Sequence, residues 1–406
     1  MKRAQLRGAT LLSGLALAGI ASAGSLYGIR PIFGGYQLAK INAATAGVEI
    51  LGTISLPDAM VVNEMTYHPK RQRFVVTATI TTSSSYFLEI DPITLGYYAV
   101  GHNIPASYVE GVEYIPSLQS LVVSYGMNDG TKSVARLNDD YQVIGTGTLS
   151  LPDLDMDTIY TDQSGSVYKF DSTHLVDGYP FGRLDNPFTA ISHVTIGGDY
   201  GTTAFDHDVA YNPDDGRLYL TRTSSLATLN AARTTAIPIG SYGGFDITAL
   251  AYGPEVVEVS GALFLGDTVP TFAQPRFMVM SLKQGTNTVG SGSVVASQSG
   301  TIFSVPVLDN VTGPATLTVN GSSFLKRSVP VTLTGGNVLL GNVSMTNGDC
   351  DYSGEVDAGD IDMAIANFGN TFPGPNGNTH ADVNCSGEVD AEDIDIVIAR
   401  FGSVDD

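Results

Sequence analysis

A tyrosine–x–proline string recurs through the first 255 residues, and its spacing dictates the architecture. The copies are Met65-Thr-Tyr67-His-Pro69, Val112-Glu-Tyr114-Ile-Pro116, Val209-Ala-Tyr211-Asn-Pro213 and Leu250-Ala-Tyr252-Gly-Pro254, with a degenerate one at Thr158-Ile-Tyr160-Thr-Asp162. Successive tyrosines stand 47, 46, 51 and 41 residues apart. Most copies turn into a second apolar strand, such as Phe74-Val-Val76 or Leu121-Val-Val123. A further string keeps step, an apolar residue followed by Asp or Asn: Ile41-Asn42, Ile90-Asp91, Leu137-Asn138, Leu184-Asp185 and Leu229-Asn230. Another strand-like run follows each. Four strands recurring at such a period predict propeller blades.

The two ends of this region complement each other. Ser25–Ile54 reads as strands two, three and four of a repeat, and Ile247–Tyr252 supplies only the Tyr-x-Pro strand. Joined, they complete one blade, which closes a ring of five and leaves no sheet edge bare. The strings loosely resemble YVTN/NHL-type blades.

The tail carries a duplicated calcium-loop pattern. One copy runs from Asp349 to Asp360, the other from Asp382 to Asp393. Asp349, Asp351, Ser353, Asp357 and Asp360 occupy loop positions 1, 3, 5, 9 and 12, as do Asp382, Asn384, Ser386, Asp390 and Asp393. Glu355 and Glu388 stand at position 7, where a backbone carbonyl binds, and Gly354 and Gly387 take the sharp turn at position 6. That alternation serves a hard cation with about six to eight oxygen ligands, so two calcium ions are expected. Each loop runs into one short helix, with Ile361, Met363, Ala364, Ile365 and Phe368 along the first and Ile394, Ile396, Val397, Ile398 and Phe401 along the second. Gly369 and Gly402 read as the helix stops. Residues 347–403 resemble the dockerin domain, which implies calcium-coupled folding and a cohesin-like partner. Its usual recognition positions, 10 and 11 of each loop, are here Ala358-Gly359 and Ala391-Glu392 rather than hydroxyl pairs.

Met1–Ala23 has the anatomy of a secretory signal: Lys2, Arg3 and Arg7, an apolar stretch from Leu11 to Ile20, and Ala21-Ser22-Ala23 as the cleavage site. The sequence therefore predicts an exported bacterial protein, extracellular or at the cell surface. Export permits a disulfide, and Cys350 and Cys385, one in each calcium loop, are expected to pair. Such a bond would stabilise so small a domain by roughly 3–4 kcal/mol. Of the formal charge of −21, most sits in residues 347–406, which hold 14 acids and one base. No basic stripe exists, which excludes nucleic-acid binding.

Short alternating strands between Val257 and Val343 predict a seven-strand sandwich. Gly300–Pro306, Leu317–Asn320 and Phe324–Val331 resemble carboxypeptidase-regulatory-like sandwiches, which implies a spacer or binding module. The expected chain is mainly β: signal peptide 1–23, five-bladed β-propeller 24–256, Ig- or transthyretin-like sandwich 257–346, and dockerin-like α-helical calcium domain 347–406.

Acids precede the Tyr-x-Pro strand in every repeat: Glu64, Glu110, Asp155 and Asp157, Asp206 and Asp208, and Asp246. Carboxylates converging on a channel could act as a glycosidase pair, with Glu64, Glu110, Asp157 and Asp208 as the candidates. The stronger reading is that they cap turns, hold blades together through backbone amides, or bind a channel ion. Asp206-His207-Asp208 lacks metal-ligand spacing, and no nucleophile or P-loop motif is present. With Trp absent from all 406 residues, the favoured reading is non-enzymatic. The propeller then recognises a glycan or protein ligand while the tail attaches it to a complex or surface. A dockerin-borne hydrolase of O-glycosyl bonds in polysaccharide breakdown, and a structural surface protein, are the alternatives.

Overall fold

The computed structural model describes residues 24–406 except 57–59, 82–83, 103, 105–107, 127–131, 150–157, 162–165, 171–180, 186–191, 197–207, 223, 231–234, 270–271, 274 and 372–378. The expected signal peptide and the acids Asp155, Asp157 and Asp206, with His207, lie outside the described residues.

The repeats form five four-stranded antiparallel sheets. The first joins both ends of the region: Ala249–Gly253 pairs with Ser25–Ile32, in a register that sets Tyr252 opposite Leu26. Gly35–Ile41 and Val48–Ile54 complete it. The other four begin with Val61–His68, Tyr108–Ile115, Thr158–Thr161 and Val209–Asn212, each followed outward by its three successors in chain order. These five first strands pack side against side in sequence, and the fifth meets the first, so they line the axis of a closed propeller. Apolar side chains fill the spaces between sheets, as with Tyr27, Leu38, Met65, Phe74, Val76 and Leu88 between the first two blades.

Blades are not hydrogen-bonded to one another as strands within a blade are, so side chains must tie the axis together. Asp208 does most of this. Its carboxylate accepts from the amides of Met65 (3.3 Å), Leu250 (2.8 Å) and Val209 (2.7 Å), and from the Thr158 hydroxyl (3.4 Å). Glu64 lies against Asp208 and accepts from the Val112 amide. Two acids thus bind all five axial strands. Gly111 makes room for them, because a Cβ there would stand 3.0 Å from Glu64 Oε2 and 2.7 Å from Ser124 Oγ.

Only Pro254 and Glu255 separate the last axial strand from the first strand of the sandwich, Val256–Leu265. Glu255 is tied back to the propeller by Lys40 (2.8 Å) and Ser25 (2.5 Å). Seven long strands follow a single bonded order, in which the Asn287–Ala296 and Thr301–Leu308 strands share only one register pair, Gly290 with Val307. The sheet folds over at that seam and buries Val259, Leu263, Met278, Met280, Leu317 and Val319 between its halves. Asn287–Ala296 is a strand the sequence pattern concealed, because its glycines and serines blur the alternation.

Two helices complete the chain, α1 (Ala358–Ala366) and α2 (Ala391–Arg400). Asp357 and Asp390 cap them in full capping boxes with Asp360 and Asp393; Asn367 and Phe401 are the C-caps, and Gly369 and Gly402 turn the chain beyond them at φ of 78° and 82°. Their shared core is small: Val356, Val383, Val397 and Cys350, closed by Leu325 of the sandwich.

Replacing Asp208 by Asn sets an amide NH₂ against backbone N–H donors and should destabilise the propeller by about 3 kcal/mol. Glu64→Gln keeps both a donor and an acceptor in place and should cost less than about 1 kcal/mol. Denaturant unfolding of the two variants tests this, and equal losses would contradict it.

Candidate functional site

Two places carry chemistry: the calcium-loop tail and the propeller channel. In the first loop, Asp360 Oδ1 accepts from the amides of Cys350 (2.6 Å) and Asp351 (3.3 Å), and its Oδ2 accepts from Asp357 (2.7 Å). Asp393 repeats this with Asn384 (3.0 Å) and Asp390 (2.9 Å). Gly354 and Gly387 turn at φ of 83° and 95°, a conformation that side chains resist. These turns let Asp349 accept from Gly354 (3.2 Å) and Asp382 from Gly387 (3.1 Å). Ser353 and Ser386 donate to the carbonyls of Glu355 (2.9 Å) and Glu388 (3.1 Å).

Asp349, Asp351 and Asp360 offer oxygens within 4.8 Å of one another, and Asp349 Oδ1 is buried with no hydrogen-bond partner. Burial, then the charges of Asp360 and Asp351, push Asp349 up to about 6. Burial likewise raises Asp393 to about 6. Clustered, dehydrated carboxylates with an orphaned oxygen fit a cation.

The second loop differs because the sandwich reaches into it. Arg276, 2% exposed, sets its guanidinium 3.5 Å from Asp382 Oδ2, donates to the Asp382 carbonyl, and points Nε at Cys385 Sγ (3.2 Å). Val269 and Ala273 donate to the carbonyls of Asn384 and Cys385, both at 2.9 Å. Asn347, Ser323 and the Asp267–Arg400 ion pair extend the seam.

The expected disulfide is not formed. Cys350 and Cys385 are separate buried thiols. Loop positions 2 and 4 face opposite ways: Cys350 belongs to the core between the helices, Cys385 to the core of the sandwich. Unreduced, denatured protein should therefore titrate two thiols. Finding none would restore the bond.

Residues 347–402 match the family model for the dockerin type I domain. Dockerin domains bind calcium, and the acidic cluster of the first loop is a place for a metal ion. Over 36% of this chain and 97% of theirs, it is similar to a type II cohesin–X–dockerin complex from Acetivibrio cellulolyticus, at 23% identity and a TM-score of 0.30. A nidogen/laminin complex is similar over 57% of this chain and 98% of that one (11% identity, TM-score 0.38). The periplasmic gluconolactonase of Pseudomonas aeruginosa is similar over 73% and 78% (11% identity, TM-score 0.31). No curated protein matches the chain.

Among the described residues of the propeller, two of the candidate acids come together. Glu64 and Asp208 are each 2% exposed and in contact. Burial and the neighbouring Asp208 charge hold Glu64 well above the usual carboxylate range. Burial lifts Asp208 to about 7 against the pull of its backbone donors. One proton on Glu64 and one charge on Asp208 satisfy the pair. Glu110 instead forms an ion pair with Lys132, and Asp246 is exposed, so neither joins them.

Further along the axial strands the channel opens into a cavity of about 330 Å³. Tyr67, Tyr114, Tyr211 and Tyr252 line it, with Pro69, Pro116 and Pro213 at its edge. The repeated string is therefore the wall of a pocket. Glu113, which the search for acids at strand starts passed over, lies in the same wall and accepts from Thr66 Oγ1 (2.9 Å). Burial, with the Asp208 charge, raises it to about 8. A signal was present, since the residue before each tyrosine is Thr66, Glu113, Ile159, Ala210 or Ala251. Only one of the five is ionisable.

Glu64, Asp208 and Glu113 hold protons more tightly folded than unfolded, where acids titrate near about 4. Stability should thus fall as pH rises through the range up to about 8. At saturating calcium, the propeller should be less stable at pH 8 than at pH 5.5, with Glu113 alone accounting for about 3 kcal/mol. A flat profile over that interval, read by urea unfolding, would refute the assignment.

Proposed function

We propose that this is an exported, calcium-loaded recognition protein, whose propeller binds a ligand at the tyrosine-lined end of its channel and whose dockerin domain attaches it to a cohesin-bearing assembly. The observation that carries the reading is a division of labour along the axis. The converging carboxyls are consumed in bracing strands, while the repeated tyrosines open onto a cavity. A glycosidase needs its two carboxyls about 5 Å apart or more, with the sugar between them. Glu64 and Asp208 touch, and are buried.

Two calcium ions would be held, one by Asp349, Asp351, Ser353, Asp357, Asp360 and the Glu355 carbonyl. The other would be held by Asp382, Asn384, Ser386, Asp390, Asp393 and the Glu388 carbonyl. Calcium there stabilises the fold by binding only the folded loops.

The attachment surface follows from the helices. Ile365 and Phe368 on and after α1 are 55% and 57% exposed, and their repeat counterparts Ile398 and Phe401 are 53% and 57% exposed. Apolar side chains that the periodicity would place in a core instead stand in solvent twice, at matched positions. A protein partner is what covers such a duplicated patch.

Binding of the full chain to a panel of cohesin domains, followed by calorimetry, tests attachment. A member of the panel should bind with calcium and fail to bind in EDTA, and Ile365→Asp with Ile398→Asp should abolish binding without loss of helix. Calcium-independent binding, or binding that survives the double change, would reject this surface.

A further inference from the structure

The channel pocket, taken as the recognition site proposed above, shows a chemical preference in its walls. Among the described residues its lining is aromatic and aliphatic, with Thr66, Ser117, Thr161 and Glu113 as the polar members and no Lys, Arg or His. Glu113 Oε2 accepts from Thr66 at 2.9 Å, and among the described residues no group donates to its other oxygen. Two more acids stand by the rim. Asp214 accepts from the Tyr252 hydroxyl, and the buried Asp309, from the sandwich, is close enough to raise both Tyr67 and Tyr252. Asn310, next to it, donates to the Tyr67 hydroxyl (3.4 Å). Lys70 is held outside by Asp139 (3.3 Å) and the Gln119 carbonyl (3.3 Å), while the buried His68 ring packs on the Tyr114 ring at 4.8 Å.

We propose that this pocket takes an organic ammonium group, such as a lysine side chain, a primary amine or a quaternary ammonium, seated among Tyr67, Tyr114, Tyr211 and Tyr252 and paired with Glu113. Tyrosine rings attract a cation through their quadrupoles, most strongly where water is excluded. An acid with a vacant oxygen in the same wall adds a counter-charge. Burial and the Asp208 charge raise Glu113 because no positive group faces it, and an ammonium would relieve that. A metal ion fits less well, since one carboxyl and a few hydroxyls fall short of the about six oxygens a hard cation takes. An anion would meet three acids. A neutral ligand would leave Glu113 protonated and form no ion pair with it.

The test uses the full calcium-loaded chain and two pairs of probes: tetramethylammonium against tert-butanol, and n-butylammonium against n-pentanol. Binding is read by ligand-observed NMR titration, with Glu113→Gln and Tyr114→Leu as variants. Each cation should bind about tenfold tighter than its neutral partner. That preference should vanish in Glu113→Gln, and cation binding should weaken in Tyr114→Leu, both variants unfolding as the wild type does. Equal binding of cation and neutral partner would overturn the ammonium inference while leaving the pocket as a recognition site. Binding of neither class would overturn both.

Discussion

Five strands around an axis face a problem that strands in a sheet do not. Their backbone bonds all point outward along the blades, so nothing in the ladder holds one blade to the next. Here a single carboxylate supplies the link, with Asp208 gathering donors from four of the five axial strands and Glu64 adding the fifth. The remainder of the ring depends on this arrangement. The shared first blade closes the circle by strand pairing between the two ends of the region, and its innermost strand is seated by the bond from Leu250 to Asp208. Burying two acids in contact is tolerable because one keeps its proton and the other is saturated with donors.

That constraint also separates the brace from the pocket. With the acids at the starts of the axial strands committed to bracing, the channel at their far ends is free to be shaped by the repeated tyrosines. The same strands serve both purposes a few residues apart: Glu64 braces and Tyr67 lines the pocket, Asp208 braces and Tyr211 lines the pocket. The sandwich completes the rim, because Asp309 and Asn310 reach the tyrosines across a junction only two residues long.

At its other end the sandwich is fused to the calcium domain rather than tethered to it. Leu325 closes the core between the helices, Cys385 enters the core of the sandwich, and Arg276 pairs with Asp382. The second loop is thereby braced by a protein cation where the first has only acids. The two loops share a pattern but not an environment, and the cysteines show it most plainly.

Periodicity settled much of this protein. Tyrosine strings at near-constant spacing point to strands stacked around an axis, and oxygen-rich loops with glycine at the turn carry the ligand pattern of a hard cation. Both patterns are local, so the order of residues suffices to show them. Tertiary structure decided what local patterns cannot carry. It set Asp208 against Glu64, from strands 144 residues apart in the chain, and left Glu110 to Lys132. It made Glu113 part of a pocket wall, turned Ile365 and Ile398 outward, and pointed the two cysteines into different cores. Each of these depends on which groups from distant segments arrive at the same point, and burial and charge then fix what each group can do.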